Sequence, residues 1–122
     1  MLILCVIFSA MQLQDKPGRP DIDSVSAKEV SLHWTAPENI SRTRIRNYVI
    51  YYGTTDMDVY YFTEHKTRTS ATICTISEGI RAKKTYKFAV AAENEHGLGP
   101  LSDYSDDVRT PTRDGRHIRI TY

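Results

Sequence analysis

The stretch TYKFAVAA, residues 85–92, carries Tyr86, Phe88, Val90 and Ala92 at every second position. A period of two is that of a pleated strand with one face turned to a core. A helix would scatter the same four side chains around its circumference. The pattern recurs along the chain. VSLHW sets Val30, Leu32 and Trp34 against Ser31 and His33, and IRNYVIYY turns Tyr48, Ile50 and Tyr52 inward with Val49 and Tyr51 outward. VYYFTEH and SATICTI are further β-rich runs, and LSDYSDDVRT supplies a last one. Across ICTI two inward sets stay open, Ile73 alone or Cys74 with Ile76, because periodicity does not choose a register.

Such short runs, evenly spaced, separated by turn residues and without a helical period, predict an all-β protein: one antiparallel β-sandwich of seven strands. The 122 residues are one domain's worth. DKPGRPD, residues 15–21, breaks regular structure with two prolines and a glycine and marks a boundary, and Pro111 closes the unit. The expected organisation is an apolar N-terminal segment and linker over 1–16, the domain over 17–111, and a tail over 112–122. MLILCVIFSA is too short to span a bilayer. It reads either as a signal peptide cut after Ala10 or as the last strand of a preceding domain.

Sixteen Lys and Arg against fifteen Asp and Glu leave a formal charge of +1, which gives no global field to draw in nucleic acid or an acidic membrane. Partner choice must come from local patches. Cys5 and Cys74 belong to no CxxC or Cys/His cluster, so neither zinc nor thiol chemistry is indicated, and Cys74 reads as a small buried hydrophobe. His33, His65, His96 and His117 fall in different elements, without a metalloprotease, nucleophile-elbow or phosphate-loop pattern. No catalytic, metal or cofactor residue is assigned, and the chain is read as not an enzyme.

The order and spacing of several pieces together resemble a fibronectin type III domain over about Pro17 to Pro111. The pieces are the proline-rich entry, Trp34 followed by Pro37, the alternation Ile45, Tyr48, Ile50, Tyr52, and Ile80 six positions before Tyr86. Tyr86, Phe88, Val90, Ala92, Asn94, Gly97, Gly99 and Ser102 then continue the family's pattern without a gap. The resemblance implies an immunoglobulin-like sandwich with Trp34, Tyr48, Ile50, Tyr52, Ile80, Tyr86, Phe88 and Val90 in its core. It also implies a corner tied by the Tyr86 hydroxyl and a hairpin loop NEHGLGP turned by Gly97 and Gly99. Ala82 stands where the family usually has proline, and an extra residue in TISEGI predicts a bulge near Gly79.

Several surface groups are candidates for recognition. Val49, Tyr51 and Tyr60 or Tyr61 form an aromatic stripe on an outer sheet face, aromatic side chains being favoured at interface centres. Glu95, His96 and Leu98 sit on the hairpin loop. Arg42, Arg44 and Arg46 alternate, so they share one face, suited to a sulfated glycan or an acidic partner, while Ile45 turns to the core. Asn39-Ile40-Ser41 is an N-glycosylation sequon in a loop. Asp103, Asp106 and Asp107 lack the Gly and terminal Glu of a calcium loop and read as a solvated acidic edge. LSDYS, residues 101–105, resembles the Trp-Ser-x-Trp-Ser box of cytokine receptors without its tryptophans, with Lys87 on Tyr104 able to supply one rung of a cation–π ladder.

The function implied is a non-catalytic protein-binding or spacer module. NYVIYYGTT and NEHGLGPLSD are similar to segments of the netrin-receptor group that includes neogenin, which implies an extracellular or cell-surface adhesion or guidance receptor joined to the membrane only through its parent chain. LQDKPGRPD also resembles inter-domain linkers of titin and twitchin, which implies a structural link in a cytoplasmic, sarcomeric protein. Against that stands NISRTR, where those proteins commonly carry a Gly-Gly loop.

Overall fold

The structure, a computed structural model, describes residues 15–38, 44–58 and 61–113. Its strands are β1 (Asp21–Val25), β2 (Val30–His33), β3 (Asn47–Thr54), β4 (Thr63–Lys66), β5 (Ile73–Ile76), β6 (Thr85–Asn94), β7 (Gly97–Leu101) and β8 (Val108–Arg109). They form two antiparallel sheets. One has the order β1-β2-β5, and the other has the order β4-β3-β6-β7 with β8 also paired to β6. The expected sandwich is present with eight strands in place of seven: β1 lies outside the runs that alternation marks, β7 begins at Gly97 in the stretch read as a loop, and LSDYSDDVRT is strand only at Leu101 and over β8.

The longest register joins β3 to β6, from Asn47 opposite Glu93 to Thr54 opposite Tyr86. Because facing residues in an antiparallel pair share a side of the sheet, this register sends Tyr48, Ile50 and Tyr52 inward with Ala92, Val90 and Phe88. From the other sheet Val30, Leu32 and Ile76 meet them, all fully buried, with Trp34 just beyond the end of β2. The core stacks Tyr52 on Phe88 at 5.5 Å and sets Trp34 edge-on to Tyr48 at 5.2 Å, two geometries that aromatic rings prefer.

The open register of β5 is settled by its neighbour. Val30 lies opposite Ile76 and Leu32 opposite Cys74, so Cys74 and Ile76 follow the inward set of β2, while Ile73 is 61% exposed. Cys74 packs against the core as a half-buried thiol, and burial pushes its pKa up.

Four local expectations change. Val49 is buried instead of outward and free, because on a strand flanked on both sides it lies between Lys66 of β4 and Ala91 of β6. Among the described residues of VYYFTEH the strand begins at Thr63, and Tyr61 ahead of it donates its N–H to the Asp58 carbonyl at 2.9 Å. At Gly79 there is a tight turn in place of a bulge. The Ile80 N–H reaches the Ser77 carbonyl at 3.2 Å with Gly79 at φ 77°, the third-position geometry that glycine adopts freely in a type II turn. The hairpin after β6 needs a left-handed residue at Gly97 and not at Gly99, which lies within β7.

Candidate protein-binding faces

The corner ahead of β6 sets the geometry of one end of the sandwich. Ile80 is buried beneath it. The Tyr86 hydroxyl accepts the Arg81 N–H at 2.8 Å and donates to the Gly79 carbonyl at 3.2 Å, as the type III resemblance implies. Lys83 stands at φ 61°, and its N–H is shared by the Thr110 and Pro111 carbonyls. Thr110, 2% exposed, binds the same segment through its hydroxyl, which accepts from Lys84 N–H and donates to the Arg81 carbonyl.

The last strand is divided where LSDYS leaves the ladder. There two serine hydroxyls take over from backbone carbonyls: Ser102 Oγ accepts Val90 N–H at 2.9 Å, and Ser105 Oγ accepts Phe88 N–H at 3.1 Å. Their own N–H groups return to the carbonyls of Val90 and Phe88. Every interior amide of β6 needs a partner once desolvated, and the two serines supply it without a regular strand.

This irregular path presents Tyr104 to the outer face of the larger sheet. Lys87 Nζ stands 4.4 Å from the Tyr104 ring centroid and 5.9 Å from that of Phe62, and the two rings meet edge to face at 6.2 Å. The expected Lys87–Tyr104 rung is there, with Phe62 as a second ring that sequence reasoning missed. Phe62 lies directly over Gly53, where an added Cβ would come within 2.5 Å of its ring.

Of the stripe residues, Tyr51 is half-buried between Glu64 and Ala89, and its phenol pKa is raised by burial and by the charges of Glu64 and Glu93. Tyr61 is 73% exposed. Tyr60, Arg42 and Asn39 lie outside the described residues. Lys66 of β4 reaches across β3 to Glu93 of β6 at 3.1 Å, and Asn47 donates to the same carboxyl oxygen at 2.8 Å. The Asn47 amide first, and Lys66 next, hold that carboxyl below its usual range. Leu98 and Leu101 are exposed on β7.

At the end of the sheet marked by Asn47 and Glu93, Arg44 and Arg46 are exposed while Ile45 packs on the core, as the alternation predicts. Arg46 N–H donates to the Glu93 carbonyl, which places it beside the β6–β7 turn carrying Glu95 and His96. The acidic edge meets the entering chain: Lys16 pairs with Asp103 at 3.0 Å and Arg19 with Asp106 at 3.4 Å. The Lys16 hydrogen bond and charge hold the Asp103 carboxyl low. On the other sheet, His33 lies 2.7 Å from Asp23 and 3.6 Å from Asp21. Among the described residues no helix is long and apolar enough to cross a membrane.

Two antiparallel sheets, a tyrosine-tied corner and a serine-pinned final strand define an immunoglobulin-like sandwich module. The chain belongs to the fibronectin type III domain family, whose profile matches residues 15–108. It is 33% identical over 96 residues to Protein sax-3 of Caenorhabditis elegans, covering 77% of this chain and 7% of that protein. It is 32% identical over 110 residues to Myosin-binding protein C, slow-type, of Homo sapiens, covering 87% and 9%. The chain thus spans less than a tenth of either relative. Among solved structures, the twitchin kinase region from C. elegans superposes with a TM-score of 0.73 at 28% identity, covering 84% of this chain and 17% of that one. A crystal structure of three titin domains superposes at 0.72 and 28%, covering 81% and 32%.

Proposed function

We propose that this chain is a non-catalytic protein-binding module of a multi-domain cell-surface adhesion or guidance receptor. The outer face of the β4-β3-β6-β7 sheet carries this reading. Tyr51, Phe62, Tyr104, Leu98 and Leu101 lie there beside the charged pair Lys66–Glu93, with exposed Tyr61 just ahead of β4, an aromatic and aliphatic surface with a polar rim of the kind protein partners use. The sequon at Asn39 and the similarity to sax-3 support a place outside the cell.

A second reading, a structural link of an intracellular muscle protein, is favoured by the longer match to Myosin-binding protein C and by the superpositions on titin and twitchin. One experiment separates the two. The chain is expressed with a C-terminal tag in animal cells, and intact mass is read from medium and lysate with and without an N-glycosidase. The first reading expects product in the medium with a glycan that Asn39→Gln abolishes. Full-length, unmodified product confined to the cytosol would show that residues 1–10 supply no working signal, and would shift weight to the muscle link.

A further inference from the structure

One end of the sandwich gathers four cations from three separate parts of the chain. Lys28 from the β1–β2 turn, Arg81 and Lys84 from the corner, and Arg113 from beyond β8 line one open cleft of about 520 Å³, with Ala27, Ile80 and Ala82 as its floor. Arg81 and Lys84 also line a second cleft of about 310 Å³, whose other walls include Tyr52, Thr54, Thr63 and Tyr86. Among the described residues no Asp or Glu lines either cleft. None of these four cations has a carboxylate within salt-bridge distance among the described residues. Of the acids, Asp56 feels the charge of Lys84, and Glu29 and Glu78 lie close in sequence to Lys28 and Arg81. Lys83 adds an exposed cation between Ala82 and Lys84.

The backbone that presents these charges is held rigidly. Arg81 is anchored by the Tyr86 hydroxyl, Lys84 by Thr110, and Lys83 by the Thr110 and Pro111 carbonyls. Lys83 at φ 61° is the only non-glycine residue with positive φ among the described residues. Such a conformation costs about 1 kcal/mol or more and persists where surrounding contacts over-determine it, often at recognition sites. In a chain of formal charge +1, so local an excess of cations has no counterpart in overall composition.

We propose that this end of the sandwich is a binding site for a sulfated glycan chain, seated across both clefts with Arg81 and Lys84 on the divide between them. Guanidinium and ammonium groups donate several hydrogen bonds to each sulfate, and paired clefts sharing two cations suit a linear ligand that repeats its charge. A protein partner would want an exposed anchor ring, and the two tyrosines here are 1% and 3% exposed. A bilayer is flat, whereas these surfaces are concave. The arginine stripe at the other end is less suited, because Arg46 lies beside acidic Glu93, to whose carbonyl its N–H donates. The two ends are the length of β3 apart, about 23 Å at ~3.3 Å per residue.

The choice of ligand rests on the extracellular reading above, but the test uses the purified chain and does not depend on it. Heparin binding is measured by calorimetry, with desulfated heparin, poly-glutamate and phosphatidylserine vesicles as comparators. Arg81→Gln/Lys84→Gln and, separately, Lys28→Gln/Arg113→Gln are each expected to raise the heparin Kd about tenfold or more, with the melting temperature unchanged. Arg44→Gln/Arg46→Gln removes equal charge at the far end and is expected to stay within about twofold. Equal losses for all three variants, no heparin binding, equal binding of desulfated heparin, or tighter binding of poly-glutamate or vesicles would each overturn the site. Binding at this end by a chain that cells retain in the cytosol supports the site and counts only against a signal in residues 1–10.

Discussion

The phenolic oxygen of Tyr86 accepts the backbone N–H of Arg81 at 2.8 Å, fastening the start of β6 to the crossing segment ahead of it. The same oxygen donates to Gly79, so one side chain satisfies two backbone groups on either side of buried Ile80. Tyr86→Phe keeps the ring packing and removes both bonds. Urea denaturation should show a loss of about 1–3 kcal/mol, the cost of leaving partly buried polar groups unpaired. A loss indistinguishable from zero would mean that the corner is held by packing alone.

Ser102 and Ser105 stand in for a missing piece of strand. Val90 and Phe88 are fully buried, so their amides have no recourse to water when a hydroxyl is removed. Ser102→Ala and Ser105→Ala should each cost about 1–3 kcal/mol, while Ser102→Thr, which keeps the oxygen, should cost less. Equal costs for the alanine and threonine variants at 102 would refute the hydroxyl's role.

Gly53 is required by contact and not by conformation, since its φ is not in the left-handed region. A methyl group there meets the Phe62 ring at 2.5 Å and Met57 Sδ at 3.2 Å. Gly53→Ala should therefore destabilise by about 1–3 kcal/mol, as overpacked sites do. Adding Phe62→Ala should recover part of that loss in a double-mutant cycle, whereas simple additivity would show that the ring is not the obstacle.

Burial, and then the charge of Glu78, push the Tyr52 phenol up from 10.0 to about 12. The folded state therefore holds this proton more tightly than the unfolded chain does. The stabilisation is complete below pH 10 and falls as pH rises towards 12, because the unfolded chain ionises first. Two units correspond to at most about 2–3 kcal/mol. Melting temperatures followed across this window should fall less steeply for Tyr52→Phe than for the parent chain. Parallel curves would assign the alkaline loss to other groups.

Much of the fold was legible because strand alternation and turn chemistry are local. The period of two in β6 identifies Tyr86, Phe88 and Val90 as core, and the family resemblance carried by Ile80 and Tyr86 implies the corner. The candidate surfaces were less legible. Tyr61, Arg44, Arg46, Glu95, His96 and Leu98 are exposed as the sequence suggests, but Val49 is not. Alternation assigns it a face and says nothing of what lies alongside on β4 and β6.

What the sequence by itself determined is therefore the sandwich class, the inward residues of β2, β3 and β6, and the family, since these follow from near neighbours along the chain. Only the tertiary structure decided which of Ile73, Cys74 and Ile76 face the core, because that register belongs to the pairing of β5 with β2. It alone set Phe62 and Tyr104 on either side of Lys87, and it alone brought Lys28, Arg81, Lys84 and Arg113 to one cleft. Charges so far apart in sequence act together only once strand pairing has closed the chain between them, and no local pattern records that closure.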